Sequence, residues 1–335
     1  MTKKILNIIS PVLLFFAFSS LAYGQMTGRD EVYGFLRLPA SSEVVMVGGA
    51  SVSYPTQDPL MVFSNPGLYG QEMAGRLGFS FLNYIPNAYS GAAVYGGLVG
   101  ERGAWAAGAR FVQYGKMQGY DIHGNATGSF SATDIALQGT YSYDLSDCFR
   151  GGVTLKGIYS HIDSYSSLGV GVDVGVSYIN EDIGMLLGAA ATNVGAQLKG
   201  YNGTRESLPW DIQVGLSQRL AHAPFRAHFL IHDLNPRLWR DKREDLSSGE
   251  RFTRHFALGV EFVPNDKFFL GVGYNPSVGQ DMKLQGGNKL GGFSIGAGLK
   301  TSLMDVQVGV ASFHPSSLSF SLGVVIPLGD ARDEL

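Results

Sequence analysis

The stretch "SLGVGVDVGVSY", Ser167 to Tyr178, admits two readings, and the fold turns on which one holds. Gly169, Gly171 and Gly175 fit the glycine-rich loop that cradles a dinucleotide phosphate. The same letters also alternate strictly. Leu168, Val170, Val172, Val174 and Val176 share one face, and Gly169, Gly171, Asp173, Gly175 and Ser177 share the other. A phosphate loop needs a strand, a tight turn and then a helix whose free N–H groups meet the anion. Here the alternation runs unbroken through the glycines, and β-branched valine favours strands over helices. The stretch reads as a strand whose valine face meets something apolar and whose other face leaves room.

Period-2 alternation recurs along the chain. Leu77, Phe79 and Phe81 alternate with Gly78 and Ser80; Trp210, Ile212, Val214 and Leu216 alternate with Asp211, Gln213, Gly215 and Ser217. About fourteen such segments fall between Gly75 and Leu328, many near the ten residues a tilted strand needs to cross a bilayer. Tyr84, Tyr114, Tyr143, Tyr178 and Tyr274 stand near segment ends, where an interfacial girdle belongs.

The connections carry as much information as the strands. Every second one is short: Val99–Gly103, Asp144–Asp147, Asn180–Asp182, His222–Pro224, Pro264–Asp266 and Lys300–Ser302. Longer, more polar pieces lie between them, at Gly115–Ser131, Gly195–Ser207, Asn235–Arg251 and Asn275–Lys289. An up-and-down barrel of an outer membrane has this asymmetry, with short periplasmic turns and long outer loops. A soluble sandwich offers no reason for it.

Composition agrees. Only 16% of residues are charged, against about a quarter in ordinary soluble chains, and there are 46 glycines. Lys3 and Lys4 precede an apolar run from Ile5 to Leu21, followed by the small residues of Ala22-Tyr23-Gly24, the pattern of a secretory signal cleaved before Gln25. Cleavage takes the formal charge from −3 to −5, which leaves no basic patch for nucleic acid. Cys148 is the only cysteine, so no internal disulfide forms. The expected organisation is a signal peptide over 1–24, a plug over 25–74, an all-β antiparallel up-and-down barrel over 75–328 and a tail over 329–335. The plug follows from Val44-Val45-Met46-Val47 and Leu60-Met61-Val62-Phe63, which are too apolar to stay in water.

The residues point away from catalysis. His228 and His232 stand four apart, but along a strand that spacing is about 13 Å, too far for one ion. No metal site, cofactor site or catalytic constellation is expected, and Cys148 has no base that the sequence places beside it. Arg110, Lys156 and Arg226 fall on lumen-facing positions and are expected to bond the plug or water. In the outer connection, Leu238 and Trp239 lie between Arg237 and Arg240, and Trp and Arg are common anchors of interfaces. These four are the expected partner-binding residues.

"FSNPGLYG" (Phe63–Gly70) resembles the Asn-Pro-Ala turn of long-chain fatty-acid transporter barrels, with Asn65 and Pro66 in place and Gly67 where that family has Ala. That resemblance implies fourteen strands filled by an N-terminal hatch. "FLRLPASSEVVMVGGASVS" (Phe35–Ser53), "DPLMVFSNPGL" (Asp58–Leu68) and "RESLPWDIQVGLSQRLAHAPFR" (Arg205–Arg226) resemble the PorQ family, an outer-membrane component of the bacterial type IX secretion system. This resemblance implies a non-enzymatic barrel in a surface attachment complex. PorZ would be its direct partner, with PorU and PorV alongside, and the complex would release cargo and join it to lipopolysaccharide. The C-terminus, "PLGDARDEL", departs from the terminal aromatic of many barrels. The alternative is a gated transporter of a hydrophobic small molecule.

Overall fold

The structure, a computed structural model, describes residues 31–120, 123, 125–235, 246–284, 290–314 and 317–329. The expected signal peptide, Arg237 to Arg240 and nearly all of the tail lie outside these residues.

Fourteen antiparallel strands close into one barrel. They are β1 (Arg76–Ile85), β2 (Ala88–Val99), β3 (Gly103–Tyr120), β4 (Ala126–Asp144), β5 (Phe149–Ile162), β6 (Tyr165–Asn180) and β7 (Met185–Lys199). The second half comprises β8 (Asp211–Arg219), β9 (Phe225–Ile231), β10 (Phe256–Phe262), β11 (Phe268–Tyr274), β12 (Phe293–Lys300), β13 (Asp305–His314) and β14 (Ser317–Pro327). Each strand pairs with its neighbours in sequence, and β1 closes on β14 from Arg76↔Pro327 to Asn83↔Phe320. Closure leaves no free sheet edge at the seam.

The valine face points outward. Leu168, Val170, Val174 and Val176 are exposed, while Gly171, Asp173, Gly175 and Ser177 are buried. The same phase holds on β4 and β5, where Leu137 and Leu155 are 62% and 65% exposed and Ala136 and Thr154 are buried. Cross-strand aromatic pairs ring this apolar wall. Tyr95–Trp105, Phe149–Tyr178 and Phe225–Phe262 lie toward the end with short turns, and Phe229–Phe256 and Tyr274–Phe293 toward the other. A wall that is apolar outside and banded by aromatics is that of an outer-membrane barrel. Tyr114 does not join the band. It continues the inward face of Ala106, Arg110 and Val112 on β3, and its hydroxyl donates to Asp134 at 2.8 Å.

All six short connections are tight turns, and we call their end the base. At the other end, the outer mouth, the expected length is uneven. Gly115–Ser131 is largely strand: β3 and β4 run on as a hairpin, pairing Lys116 with Ser131 and Gly119 with Gly128. Apart from the cross-strand pair Met117↔Phe130 its residues are mostly small or polar, so no sustained alternation marks it. Two further mouth connections are tight turns, with Asn87 and Asp163 at φ 66° and 54°. Asn and Asp tolerate this left-handed region better than most residues.

Residues 32–74 fill the interior. They enter at the mouth, where Val32 N donates to Ser207 O at 3.0 Å and the Tyr33 hydroxyl lies 2.5 Å from Ser167 Oγ. The chain descends to helix α1 (Ser42–Met46), returns to the mouth at Gly48, whose N–H donates to Ser294 Oγ at 3.0 Å, and turns down again. It leaves at the base, where Gln71 Nε2 donates to Glu101 O at 2.7 Å and β1 begins. Val44 to Val47 and Leu60 to Phe63 are buried here, forming with Leu68, Tyr69 and Met73 the principal core. A smaller core at the mouth packs Val32, Tyr33, Phe35 and Leu36 against Val112, Ala136, Ile158 and Leu208.

Candidate functional site

The site with most structure is the seam between this inner segment and the wall. Asn65 is wholly buried and caps a one-turn 3-10 helix, Pro66–Leu68, accepting from Gly67 N at 2.8 Å. Proline at the first helical position gives up an N–H that would have no partner. The Asn65 amide donates to Val52 O at 2.8 Å and to Ser177 Oγ on β6 at 3.3 Å, joining two turns of the segment to the wall. The inward face of the wall is small here because backbone meets backbone. A Cβ on Gly175 would collide with Asn65 Oδ1, one on Gly152 with Pro66 O, and one on Gly188 with Val52 O. This answers the question raised by the small face of Ser167–Tyr178. Gly169 and Gly175 seat the inner segment, against Tyr33 and Asn65.

The three cations face the lumen as expected, but only Arg110 bonds the inner segment; Lys156 and Arg226 pair with carboxylates of the wall. Arg110 donates to three carbonyls of the inner segment, Leu36, Phe35 and Leu38, at 3.1, 2.8 and 2.7 Å. These carbonyls end the 3-10 turn Gly34–Arg37, where a cation is favoured by the aligned peptide dipoles. Lys156 bonds the wall instead, 2.6 Å from Asp173 and donating to Asn193 Oδ1 at 2.8 Å. Asn193 (φ 56°) is the bulge of β7, and its N–H donates to Asp173 Oδ1 at 2.7 Å. Arg226 lies 3.2 Å from Glu261 Oε2.

Glu261 gathers more than Arg226. Its carboxylate also accepts from the Tyr54 hydroxyl of the inner segment and lies 2.7 Å from His228 Nε2, while Tyr54 stacks on the His228 ring at 4.9 Å. His228 is thus a partner of Glu261, and His232 lies 3.3 Å from Asp233; the two do not converge. Among the described residues no group of three metal-ligating side chains forms.

Sequence reasoning missed two seats. Arg150 lies 2.7 Å from Glu72 and 2.6 Å from Asp144, clamping the segment at the base. Arg150 sits at an inward phase beside Gly151-Gly152, which was the available signal. The second seat is Glu43 on α1, fully buried, with Gln307 Nε2 donating to Oε1 at 3.1 Å and Oε2 without a partner. Burial, reinforced by Asp58, pushes Glu43 up to about 8, and burial pushes Asp58 up to about 6 despite bonds from Ser41 and Leu60 N.

The outer mouth over β9–β12 is built of helices. Helix α2 (Ser248–Thr253) opens with a capping box, in which the Ser247 hydroxyl accepts from Glu250 N and Glu250 accepts from Ser247 N. Helix α3 (Pro276–Leu284) lies beside it, and Arg254 spans the two, 3.0 Å from Asp281. The expected anchor residues Arg237, Leu238, Trp239 and Arg240 belong to the connection that leads into α2. They lie outside the described residues, whereas Asn235 and Leu246 on either side are buried.

No family model matches the chain, and no curated protein matches it. Solved barrels do. The toluene transporter TodX of Pseudomonas putida is 11% identical over 86% of this chain and 97% of its own, with a TM-score of 0.53. The monoaromatic hydrocarbon channel CymD is 13% identical over 87% of this chain and 98% of its own, at 0.52. A FadL homologue of Pseudomonas aeruginosa is 11% identical over 87% and 98%, at 0.49. At these identities the likeness is one of fold. The chain has the fold of the TodX and CymD barrels, a closed antiparallel barrel.

Proposed function

We propose that this protein is a closed outer-membrane barrel that works as a scaffold rather than a conduit. The observation that carries this reading is the seam. Wall glycines accept the backbone of residues 32–74 so closely that a single added Cβ collides, and interiors packed to that tolerance have few voids larger than a water molecule. The side chains around the seam are tied to one another, which suits holding and not turnover.

The finer assignment comes from the sequence resemblance. As a member of the PorQ family, the chain anchors an extracellular PorZ protein, with PorU and PorV in the same complex, for release of cargo and its attachment to lipopolysaccharide. The preorganised platform of α2 and α3 at the mouth supports a partner-binding role. Affinity purification from detergent-solubilised outer membranes tests it. A PorZ-like protein is expected to co-purify; a barrel that purifies alone, from cells whose cargo stays attached when the barrel is deleted, overturns the assignment.

A second reading is favoured by the solved barrels, which as a group support it more than they support the attachment role: passage of a hydrophobic small molecule. Fold alone does not assign function. One feature of the wall suits this reading. Pairing of β7 with β8 ends at Thr192↔Asp211, and above the Asn193 bulge residues 194–199 pair with β6 alone, at the level of the outward Val170 and Leu168. Uptake of toluene into liposomes carrying the purified barrel separates the readings, since a scaffold leaves the rate at that of empty liposomes.

A further inference from the structure

The outer face of the wall changes character toward the mouth, and on one side only. Phe111, Ile135, Tyr159 and Leu168 lie opposite one another across β3 to β6, and all four are exposed. In the next outward row toward the mouth, Gln113, Thr133, His161 and Ser166 are again paired strand to strand. Lys199 pairs with the outward Leu168, and its Nζ donates to Ser166 Oγ at 2.9 Å, which carries the row onto β7. Above Gln113 and Thr133 the pair Lys116↔Ser131 sets a second exposed lysine on the same face. The apolar outer face therefore stops at a row of hydroxyls and basic groups. On the other half of the barrel it does not. The pairs nearest the mouth there include Phe256↔Ile231 and Tyr274↔Phe293, and Phe252 of α2 stands exposed against Phe256.

We propose that this row binds a phosphorylated lipid headgroup of the outer leaflet, with the acyl chains of that lipid lying down the wall below it. Lys116, His161 and Lys199 offer nitrogen donors and Ser131, Thr133 and Ser166 offer hydroxyls, the groups from which phosphate oxygens accept. Among the described residues no carboxylate pairs with any of the three basic side chains. The carboxylate of the β5–β6 turn, Asp163, accepts from the Ser164 hydroxyl instead. Strands lie about 4.8 Å apart, so β3, β5 and β7 set the three basic groups about 10 Å from one another. That spacing suits an extended headgroup bearing more than one phosphate better than a single free ion. Below Tyr159 the wall has a notch at Gly157, where an added Cβ meets nothing within 4 Å, between Leu137 and Val170. An acyl chain descending from the row passes over it. The proposal rests on the barrel standing in the outer membrane with its mouth outward, and on neither reading of what the lumen does.

Native mass spectrometry of the purified, full-length barrel in a non-ionic detergent tests it. The probes are diphosphoryl lipid A and the same lipid stripped of its phosphates, each titrated against the protein and read as the fraction of barrel carrying lipid. The unaltered protein is expected to hold the phosphorylated form about tenfold more tightly, since each basic group near an anionic headgroup adds to binding. Combining Lys116→Gln, His161→Gln and Lys199→Gln is expected to remove that preference, while Lys267→Gln, an exposed cation at the base, keeps it. Heat-modifiable gel mobility shows that each variant is folded. Should the triple variant fail to fold, Lys116→Gln and Lys199→Gln made singly are each expected to weaken the preference several-fold. Equal retention of the two lipids by the unaltered protein overturns the proposal without recourse to any variant. So does a folded triple variant, or a pair of single variants, that keeps the full preference. A loss in Lys267→Gln as large as in the row variants also overturns it, because the attraction then follows net charge and not this row.

Discussion

Asp173 on β6 and Lys156 on β5 form an ion pair of 2.6 Å inside the barrel, with both side chains almost wholly buried. Seen from the sequence, Asp173 is simply a lumen-facing residue, and lumen positions of barrels tolerate change. The structure reverses that expectation, because Asp173 also holds the β7 bulge through Asn193 N. Removing one member of a buried pair leaves the other uncompensated, at a cost of about 3–5 kcal/mol. Asp173→Ala is therefore expected to reduce folded barrel sharply, and Lys156→Met combined with Asp173→Leu to recover much of it. Heat-modifiable gel mobility measures both. A single variant as abundant as the unaltered protein would remove the pair's structural importance.

Gly175→Leu and Gly157→Leu make the same chemical change on opposite faces of the wall. The first drives a side chain into Asn65, while the second meets nothing within 4 Å and adds apolar surface toward lipid. Only Gly175→Leu is expected to unseat the inner segment, seen as new protease cleavage between residues 32 and 74 in isolated membranes. Equal protection in both variants would mean that the seam adapts by more than the structure allows.

Val174→Arg tests the outer face. Val174 is exposed on the lipid side of β6, where an arginine near the bilayer midplane costs about 2–4 kcal/mol. Inserted barrel is expected to fall strongly, whereas Val174→Leu leaves it unchanged. Normal insertion of the arginine variant would place this face against something other than lipid.

Stability should depend on pH through Glu43. Its carboxyl lies at about 8 when folded against 4.5 ordinarily, so folding takes up a proton between those values. The unfolded chain binds fewer protons there, and stability falls as pH rises from about 4.5 to about 8, with Asp58 adding to the lower part of that window. Glu43→Gln is expected to flatten the decline, read as the thermal midpoint of heat-modifiable mobility across this range. A midpoint that rises with pH in the unaltered protein would show that Glu43 is held ionised.

Trp239→Ala addresses the partner. A tryptophan anchor is worth about 2 kcal/mol or more on truncation, a factor of tens in affinity. Barrel abundance is expected to stay level while a PorZ-like protein is lost from pull-downs. Full retention of the partner would move the contact to another part of the mouth.

The barrel was legible in the sequence because a wall between lipid and lumen imposes period 2 on every strand that crosses, as Leu168 to Val176 show. Strand ends outside the wall were not: in Lys116–Tyr120 and Ala126–Ser131 the single apolar pair Met117↔Phe130 is too little alternation to reveal them. The burial of Val44–Val47 and Leu60–Phe63 followed from their hydrophobicity. Their seats did not, since Gly175 meets Asn65 across more than a hundred residues of chain and nothing local announces it. The inward phase of Arg150 was readable, but its pairing with Glu72 was not, as an ion pair between distant segments leaves no spacing to find.

Whether residues 32–74 seal the lumen is the claim on which the scaffold reading stands. Single-channel conductance in planar bilayers measures it, comparing the unaltered barrel with one lacking Gln25 to Gly70. Heat-modifiable gel mobility of protein recovered from the same membranes establishes insertion separately, so that absent steps report closure and not failed folding. The unaltered protein should show no conductance steps, and the truncated barrel should show steady open steps. Steady steps from the unaltered protein, or an inserted truncated barrel that stays closed, would contradict the account.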